Sequence, residues 1–585
     1  MPLRARKNFL MLAELSGEKI WLRTEYHQSE LVKKVPGTRW HKQHRKWYVP
    51  LSWAACVVLR GVFGDDLEIG PGLAKWAAEE RSSRIDPCMA LRDAEDAVLP
   101  DGLVPGGLSL EPRQTAGVEF LATAKRAALC DGMGSGKSVM TVMALELLER
   151  RGARPYPALV VCPNSMKTTW QKEFEKWAPG RRVEAVIGGA AKRRKVFDRL
   201  ADDELDVAIV NWEALRSHSR CAGYGNLKLT VKEKEEKELN EIPLRTFVGD
   251  EAHRAKSPKS QQTRAAWAVA WKCEHRFALT GTPLANTPAD TWAIMHLLAP
   301  DEWPSKTAFL DRFALLTWST FGFMDVAGIR GDTKDEFFRI LDPRFIRRPT
   351  QVVVPDLIPK LPPQVRRIEL PAKQRKAYNS LRKHLLAELE SGVLMATNPL
   401  TRLTRLNQLS VAYGDIDEEG NLKLTEPSGV LDALEDVLEE TEGEQIVAFA
   451  ESRQLIELAA ARLEKAKVPY GMIAGGVDEH LRQKAVDDFQ AGKLRVMLAT
   501  LGAGGEGITL TASRHPVFLQ RSFSMVKNAQ AEDRTWRKGQ DREVQPIYIV
   551  PEDTVAEHIL EVGEEKLGRL EEICRDEEML RRWLS

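Results

Sequence analysis

The sequence predicts an α/β protein: two lobes built on parallel sheets, preceded by a small basic α+β module and closed by a C-terminal helix. Three observations carry that expectation. Short apolar strands alternate with amphipathic helical patterns in two separate blocks. A glycine-rich loop, DGMGSGKS (Asp131–Ser138), lies between an apolar strand and a helix in the first block. A proline-rich stretch separates the blocks.

Composition narrows the class. The chain has 585 residues, 43% hydrophobic and 29% charged, an ordinary globular balance. That length suggests about three to four domains. No apolar run approaches the roughly 20 residues that span a bilayer, so no membrane segment is expected. Glu14 interrupts the early apolar run and no small-residue cleavage site follows, which argues against a signal peptide. The seven cysteines are scattered and form no CxxC pair, so neither a disulfide framework nor a zinc site is expected and a reducing compartment fits.

Net charge is +1, yet residues 1–50 hold eleven lysines and arginines against four acids. This basic front module is assigned to residues 1–70. Within it, Trp40 and Trp47 flank HKQHRK, which predicts a hairpin with a basic tip. Such a tip can pair with phosphates while aromatic rings stack on unpaired bases. Trp40 and Trp47 read as core, Lys42, Arg45 and Lys46 as candidate DNA contacts, and His41 and His44 as ordinary surface residues.

Residues 71–109, rich in Pro, Gly and acids, read as a linker. Residues 110–345 form the first lobe. Its strands lie at ALVVCP (158–163), DVAIVNW (206–212), TFVGDEAH (246–253) and HRFALTGTP (275–283), each followed by a helical pattern. VKEKEEKELNE (231–241) reads as an exposed helical or loop insertion. Residues 346–425 form a connector and an insertion of the second lobe. The prolines of RFIRRPTQVVVPDLIPKLPPQ (344–364) place that stretch in neither sheet. The second lobe, 426–585, has strands at QIVAFAES (445–452), LRVMLAT (494–500), PVFLQ (516–520) and PIYIV (546–550), and ends in the C-terminal helix.

The chemistry starts at the loop. Glycines at Gly132, Gly134 and Gly136 let backbone N–H groups point inward at phosphate, a helix begins near Lys137, and that lysine can reach the β- and γ-phosphates. Ser138 supplies a hydroxyl for Mg²⁺. Asp131 stands where the general loop pattern wants glycine. DEAH (Asp250–His253) ends an apolar strand downstream; there Asp250 can hold Mg²⁺ and Glu251 can orient and deprotonate water. In QAEDRTWRKGQ (530–540), Arg534 and Arg537 are three residues apart, the spacing of one helical face, and can stabilise γ-phosphate charge.

The ordered motif set resembles superfamily 2 helicase-like ATPases, and within them the Snf2 family of double-stranded DNA translocases. LEPRQTAGVEFL (110–121) is similar to the glutamine motif, DGMGSGKS to motif I with the Asp usual in Snf2 proteins, and LVVCPNSMKTTWQKEFEKW (159–177) to motif Ia. DEAH resembles motif II, LTGTP (279–283) motif III, LATLGAGGEGITLTAS (498–513) motif V, and QAEDRTWRKGQ motif VI. Gly132 departs from an acidic residue more usual there, with little expected consequence. The usual Trp-Asn-Pro before motif VI is replaced around Ser524–Lys527.

The resemblance implies two RecA-like lobes that hold Mg²⁺ and ATP between them. It implies nucleotide contacts from Gln114 (to adenine), Gly132, Met133, Gly134, Ser135, Gly136, Lys137, Ser138, Gly505, Arg534 and Arg537. It assigns catalysis to Lys137, Asp250, Glu251, Arg534 and Arg537, Mg²⁺ to Ser138 and Asp250, and coupling between nucleotide and DNA to His253, Thr280, Gly281 and Thr282. LVKKVPGTRWHKQHRKWYVPL (31–51) resembles a HARP domain, which the annealing-helicase branch carries. The implied protein is a monomeric DNA-dependent ATPase: a translocase or annealing helicase on double-stranded or forked DNA, with a role in repair or replication. It would be cytoplasmic and nucleoid-associated in a bacterium or virus, nuclear in a eukaryote. The alternative is a strand-separating DNA or RNA helicase.

Overall fold

The computed structural model describes residues 11–25, 28–281, 288–318, 324–390, 399–416, 422–502 and 508–561. The expected C-terminal helix lies mostly outside these residues. The chain divides into two compact units, Met1–Pro355 and Asp356–Ser585.

The first unit starts with a five-stranded sheet of order β3-β4-β2-β1-β5. Its strands are β1 (Met11–Ser16), β2 (Lys19–Arg23), β3 (Arg39–His41), β4 (Lys46–Pro50) and β5 (Leu67–Ile69). Period-2 alternation puts Met11, Ala13, Ile20, Leu22 and Val49 on the buried face, against the helix Trp53–Phe63. Ser52 caps that helix by accepting a hydrogen bond from the Ala55 N–H. Trp47 is half-buried and packs against the core, but Trp40 is 46% exposed. The core expectation therefore fails for Trp40, which sits on a three-residue edge strand and stays exposed although the Trp47 ring meets it edge-on, 5.3 Å between centroids.

The stretch read as a linker is helical from Pro71 to Asp93, with Leu73, Ile85 and Cys88 buried. Pro71 occupies the first turn of this run, where a missing N–H costs nothing, and Pro87 lies inside it just after a π-helical turn at Arg81–Ile85. The module is no separate bead either, since its core is continuous with that of the first lobe, from Met11 to Phe345. The helix Trp53–Phe63 packs along Lys334–Leu341. Gly61 permits the approach, because a Cβ there would fall 1.9 Å from the Glu336 carboxylate. Glu336 is in turn bound by Arg312, at 2.5 and 3.0 Å.

The first lobe is a seven-stranded, all-parallel sheet of order β14-β6-β11-β10-β7-β9-β8. It comprises β6 (Arg126–Leu129), β7 (Ala158–Cys162), β8 (Val183–Ala185), β9 (Val207–Asn211), β10 (Thr246–Asp250), β11 (His275–Leu279) and β14 (Phe345–Ile346). Its central strands are buried end to end, as a sheet covered on both faces requires. An antiparallel hairpin, β12 (Ala314–Trp318) and β13 (Met324–Ile329), precedes the last strand. The 231–241 insertion forms two one-turn helices; its front is exposed, but Leu239 and Asn240 are buried.

The second unit is a six-stranded parallel sheet of order β15-β22-β21-β18-β20-β19 with a small hairpin, β16 (Tyr413–Ile416) and β17 (Leu422–Thr425). The sheet uses β15 (Gln364–Ile368), β18 (Ile446–Ala450), β19 (Tyr470–Ile473), β20 (Val496–Thr500), β21 (His515–Phe518) and β22 (Ile547–Pro551). The proline-rich connector thus differs from its sequence reading: its first residues form β14 of one sheet and its last begins β15 of the other. Prolines 349, 355, 359, 362 and 363 lie between the two pairings, so their density hid both ends.

Removing residues 1–70 should leave a protein that is insoluble or melts well below the full chain, since each buried aliphatic lost is worth about 1.5–3 kcal/mol. Thermal unfolding of the truncated and full chains checks this; an unchanged melting temperature would mean the shared core is not load-sharing.

Candidate nucleotide site

The loop after β6 takes its shape from two left-handed glycines, Gly134 (φ +76°) and Gly136 (φ +84°), before the helix Lys137–Arg150. A helix start behind a glycine-rich turn favours an anion, but the Gly132 N–H, expected from sequence to face phosphate, donates instead to the Arg348 carbonyl. The Lys137 ammonium donates to the carbonyls of Asp131 and Gly132, both at 2.9 Å, and so is held at the loop. The Ser135 hydroxyl is fully buried with no hydrogen-bond partner among the described residues, as fits a group reserved for a ligand. Gln114 Nε2 donates to the Ser135 carbonyl at 2.9 Å, while its Oε1 accepts from the Glu111 N–H at 2.9 Å. The glutamine therefore braces the loop as well as standing beside it.

Asp131 is fully buried and bound by Arg348: Nη2 donates to Oδ2 at 2.6 Å, Nε to Oδ1 at 3.2 Å, and the Arg348 N–H to Oδ1 at 2.8 Å. The Gly132 N–H donates to the Arg348 carbonyl at 2.9 Å, and the Thr350 hydroxyl to the Met133 carbonyl at 2.8 Å. A Cβ on Gly132 would lie 2.2 Å from Thr350 Oγ1 and 2.9 Å from its backbone nitrogen, so glycine there has a packing reason that the sequence did not reveal.

At the end of β10, Asp250 is 7% exposed; Trp170 Nε1 donates to its Oδ2 at 2.8 Å, and Trp212 Nε1 to its carbonyl at 2.7 Å. Burial first, and the Glu251 charge second, push the Asp250 carboxyl up from its ordinary range, against the pull of Trp170 and Lys137. A carboxylate so placed suits a cation. Glu251 has φ +52°, a costly conformation for a non-glycine residue that is found at functional sites. His253 Nδ1 lies 3.2 Å from Glu251 Oε2 and 3.3 Å from Thr280 Oγ1. Gly281 closes the set: a Cβ there would be 2.7 Å from Met133 Cγ and 3.6 Å from Lys137 Nζ. Among the described residues no three His, Cys, Asp or Glu side chains gather around a point. A divalent cation here would use oxygens of Ser138, Asp250, nucleotide and water, the hard donor set Mg²⁺ takes.

In the second unit, Arg534 and Arg537 do not share a helical face. The helix Met525–Glu532 ends before them, and they lie in successive turns. Arg534 is 1% exposed, with Nη1 donating to the Ile508 carbonyl at 3.3 Å. Arg537 is half-buried; its Nε donates to the Asp533 carbonyl at 3.0 Å and its Nη1 to Thr509 Oγ1 at 3.2 Å. Lys360 holds the same turn through Glu532 (2.8 Å) and Asp533 (3.6 Å), and Trp536 Nε1 donates to the Ile358 carbonyl at 2.6 Å.

The structure thus brings together Gln114, the Asp131–Ser138 loop, Asp250, Glu251, His253, Thr280 and Gly281. Thr282 and Gly505 lie outside the described residues. Lys42, Arg45 and Lys46 are exposed on the β3–β4 hairpin, a separate surface. Sequence reasoning missed Arg348, Thr350, Trp170 and Trp212 as site residues. A buried acid in a loop demands a cation, but nothing local to Asp131 marks an arginine 217 residues away.

The family description "SNF2-related domain" matches residues 113–412, and "Helicase conserved C-terminal domain" matches residues 429–539. The chain is 27% identical to Protein CHROMATIN REMODELING 5 of Arabidopsis thaliana, over 80% of this chain and 27% of that protein. It is 28% identical to the Mus musculus SWI/SNF-related matrix-associated actin-dependent regulator of chromatin subfamily A member 1, over 76% of this chain and 41% of that protein. The chain therefore spans well under half the length of these relatives. Among solved structures, it is similar to the Sulfolobus solfataricus SWI2/SNF2 ATPase core in complex with dsDNA, at 22% identity and a TM-score of 0.39, over 83% of this chain and 99% of that one.

Replacing Arg348 with Ala should cost about 3–5 kcal/mol, because it strands the buried Asp131. Denaturant unfolding should show that loss together with weakened nucleotide binding. Stability within 1 kcal/mol or so of the parent would mean the pair is not the clamp described.

Proposed function

The chain belongs to the SNF2-related family, and we propose that it is a DNA-dependent ATPase that moves along double-stranded DNA, acting on forked or partly unwound DNA as an annealing helicase. The observation that carries the catalytic part is the contiguous set Lys137, Asp250, Glu251, His253 and Thr280 around the phosphate loop. The annealing assignment is supported by the aromatic-flanked basic hairpin at residues 40–47, which resembles a HARP domain.

The chemistry follows from what each residue can do. Loop N–H groups and Lys137 bind the β- and γ-phosphates and offset their charge. Mg²⁺, when bound, supplies charge neutralisation across those phosphates, held by Ser138 and Asp250. Glu251 orients a water and takes its proton as the water oxygen bonds to the γ-phosphorus; the bond to the β–γ bridging oxygen breaks and ADP leaves with that electron pair. His253 bridges Glu251 to Thr280, so that a shift in the 279–282 segment changes how the base is held. Arg537, the more accessible of the two arginines, takes the developing γ-phosphate charge, and the buried Arg534 holds the chain at Ile508. Lys42, Arg45 and Lys46 contact DNA phosphates.

The deciding experiment measures ATP hydrolysis with duplex, forked and single-stranded DNA and with RNA, alongside strand annealing and strand displacement. Duplex or forked DNA should stimulate most, with annealing exceeding displacement. Lys137→Ala and Glu251→Gln should abolish turnover, and Glu251→Gln should still bind nucleotide. RNA-stimulated hydrolysis with strand displacement, or substantial turnover by either variant, would sink the assignment.

Arg537→Ala should slow hydrolysis by at least ~10³-fold, the lower end for an arginine acting in the transition state, with much smaller loss of ATP affinity. Single-turnover rates and nucleotide titrations separate the two; an equal fall in affinity would make Arg537 a ground-state binder.

A further inference from the structure

The N-terminal sheet has a second face that the site above does not use. Alternation that buries Ile20, Leu22 and Val49 turns Lys19, Trp21, Arg23, Lys46 and Tyr48 outward. Trp21 sits directly across from Tyr48 on β4, Tyr48 from Arg39 on β3, and Lys46 from His41. The rings form one group: Trp21 lies 5.4 Å from Tyr48, 5.4 Å from His41 and 5.3 Å from His44, centroid to centroid. Trp21, Tyr48 and His41 all stay half-exposed, although a Trp and a Tyr at the middle of a sheet could have been covered by a helix.

Charge is distributed unevenly over this face. Lys19 Nζ lies 4.7 Å from the Tyr48 ring centroid and 5.8 Å from that of Trp21. Arg23, Arg39 and Lys46 surround the rings and are exposed. Two acids share this face: Glu14 on β1 stands directly across from Trp21, and Glu68 lies on the far edge strand β5. Beside Trp21 opens a cavity of about 550 Å³, lined also by Glu14, Ser16, His44, Lys46 and Gly70–Gly72. An aromatic row whose four cations, Lys19, Arg23, Arg39 and Lys46, outnumber the acids Glu14 and Glu68, with a cavity of that size at its edge, matches an unpaired base with its phosphates and not the flush rod of a duplex.

We propose that this outer face, with Trp21 and Tyr48 at its centre, is a stacking platform for the unpaired bases of single-stranded DNA. Lys19, Arg23, Arg39 and Lys46 hold the flanking phosphates. The choice of DNA rests on the function proposed above; the single-strand specificity rests on the rings. The platform lies on the same module as the Lys42–Arg45 tip, so a fork could present its duplex phosphates to the tip and its unpaired strand to the sheet.

The test uses the full chain and a fluorescein-labelled oligo(dT), with blunt duplex DNA and oligo(U) as parallel ligands. Trp21→Ala with Tyr48→Leu should weaken oligo(dT) binding roughly tenfold or more, leave duplex affinity within about twofold, and leave the dependence of log K on log salt unchanged. Trp21→Phe, which keeps a stacking face, should restore most of the affinity, and unchanged thermal unfolding shows that each variant is folded. Lys42, Arg45 and Lys46 changed together to Ala should weaken duplex as well, and flatten the salt slope by about 0.7 to 0.9 per lost contact. Equal losses for oligo(dT) and duplex in the ring variant, or tighter binding to oligo(U) than to oligo(dT), overturn the platform. If the ring variant changes nothing while the lysine and arginine variant does, the platform fails and the module's DNA role stands; if neither changes binding, both fail.

Discussion

A carboxylate with no access to water, at the base of a phosphate loop, is the constraint on which the first unit depends. Asp131 can be there only if a cation and several donors meet it, because an isolated buried charge is prohibitively costly. Arg348 meets it with its guanidinium and its own N–H, and extends a further bond to the Arg113 carbonyl at 2.7 Å. The distant segment after β14 is thereby tied to both the helix that carries Gln114 and the loop that follows β6. The same contact places Thr350 against Met133 and leaves no room for a side chain on Gly132. A loop that must reshape around phosphate gains a rigid floor, and the residues leaving that floor are the ones that lead to the second unit.

Asp250 is a different solution to a similar problem. It too is buried, but neutral donors and not a cation meet its carboxylate, from the indole of Trp170 and the Glu251 N–H. Asp131 is paired and structural; Asp250 is hydrogen-bonded yet uncompensated, and burial with the neighbouring Glu251 keeps its carboxyl above the usual range. Such a group is destabilising by itself at neutral pH and becomes favourable when a cation arrives, a trade of stability for function common at active sites. The left-handed Glu251 next to it follows the same logic.

On the proposal above, one sheet of the amino-terminal module serves two purposes. Its inner face is spent on a core shared with the first lobe, which makes the module part of the first unit and not an appendage. Its outer face keeps aromatic rings half-exposed among cations, a combination with no value for packing alone. Gly61, which lets one helix approach the Arg312–Glu336 pair, ties the two purposes together by fixing the sheet's seat.

The sequence by itself determined the class of fold, the order of the motifs and which loop and strand end form the candidate nucleotide site. Strand-end positions such as Asp250 and loop positions such as Lys137 are legible because their chemistry follows from local spacing: a strand, a turn, a helix start. Tertiary structure decided the rest, for reasons that local pattern does not carry. Arg348 and Trp170 act on residues 217 and 80 positions away, and nothing in FIRRP or TTWQKEF marks which acid they will meet. Proline density suggested that 344–364 belongs to neither sheet, whereas pairing with β6 and β22 recruits its two ends. Arg534 and Arg537 share helical spacing, but the helix stops at Glu532 and sends one inward and leaves the other half-exposed. Burial, pairing partner and helix end are properties of the packed chain, since each is settled by which distant segment occupies the neighbouring space.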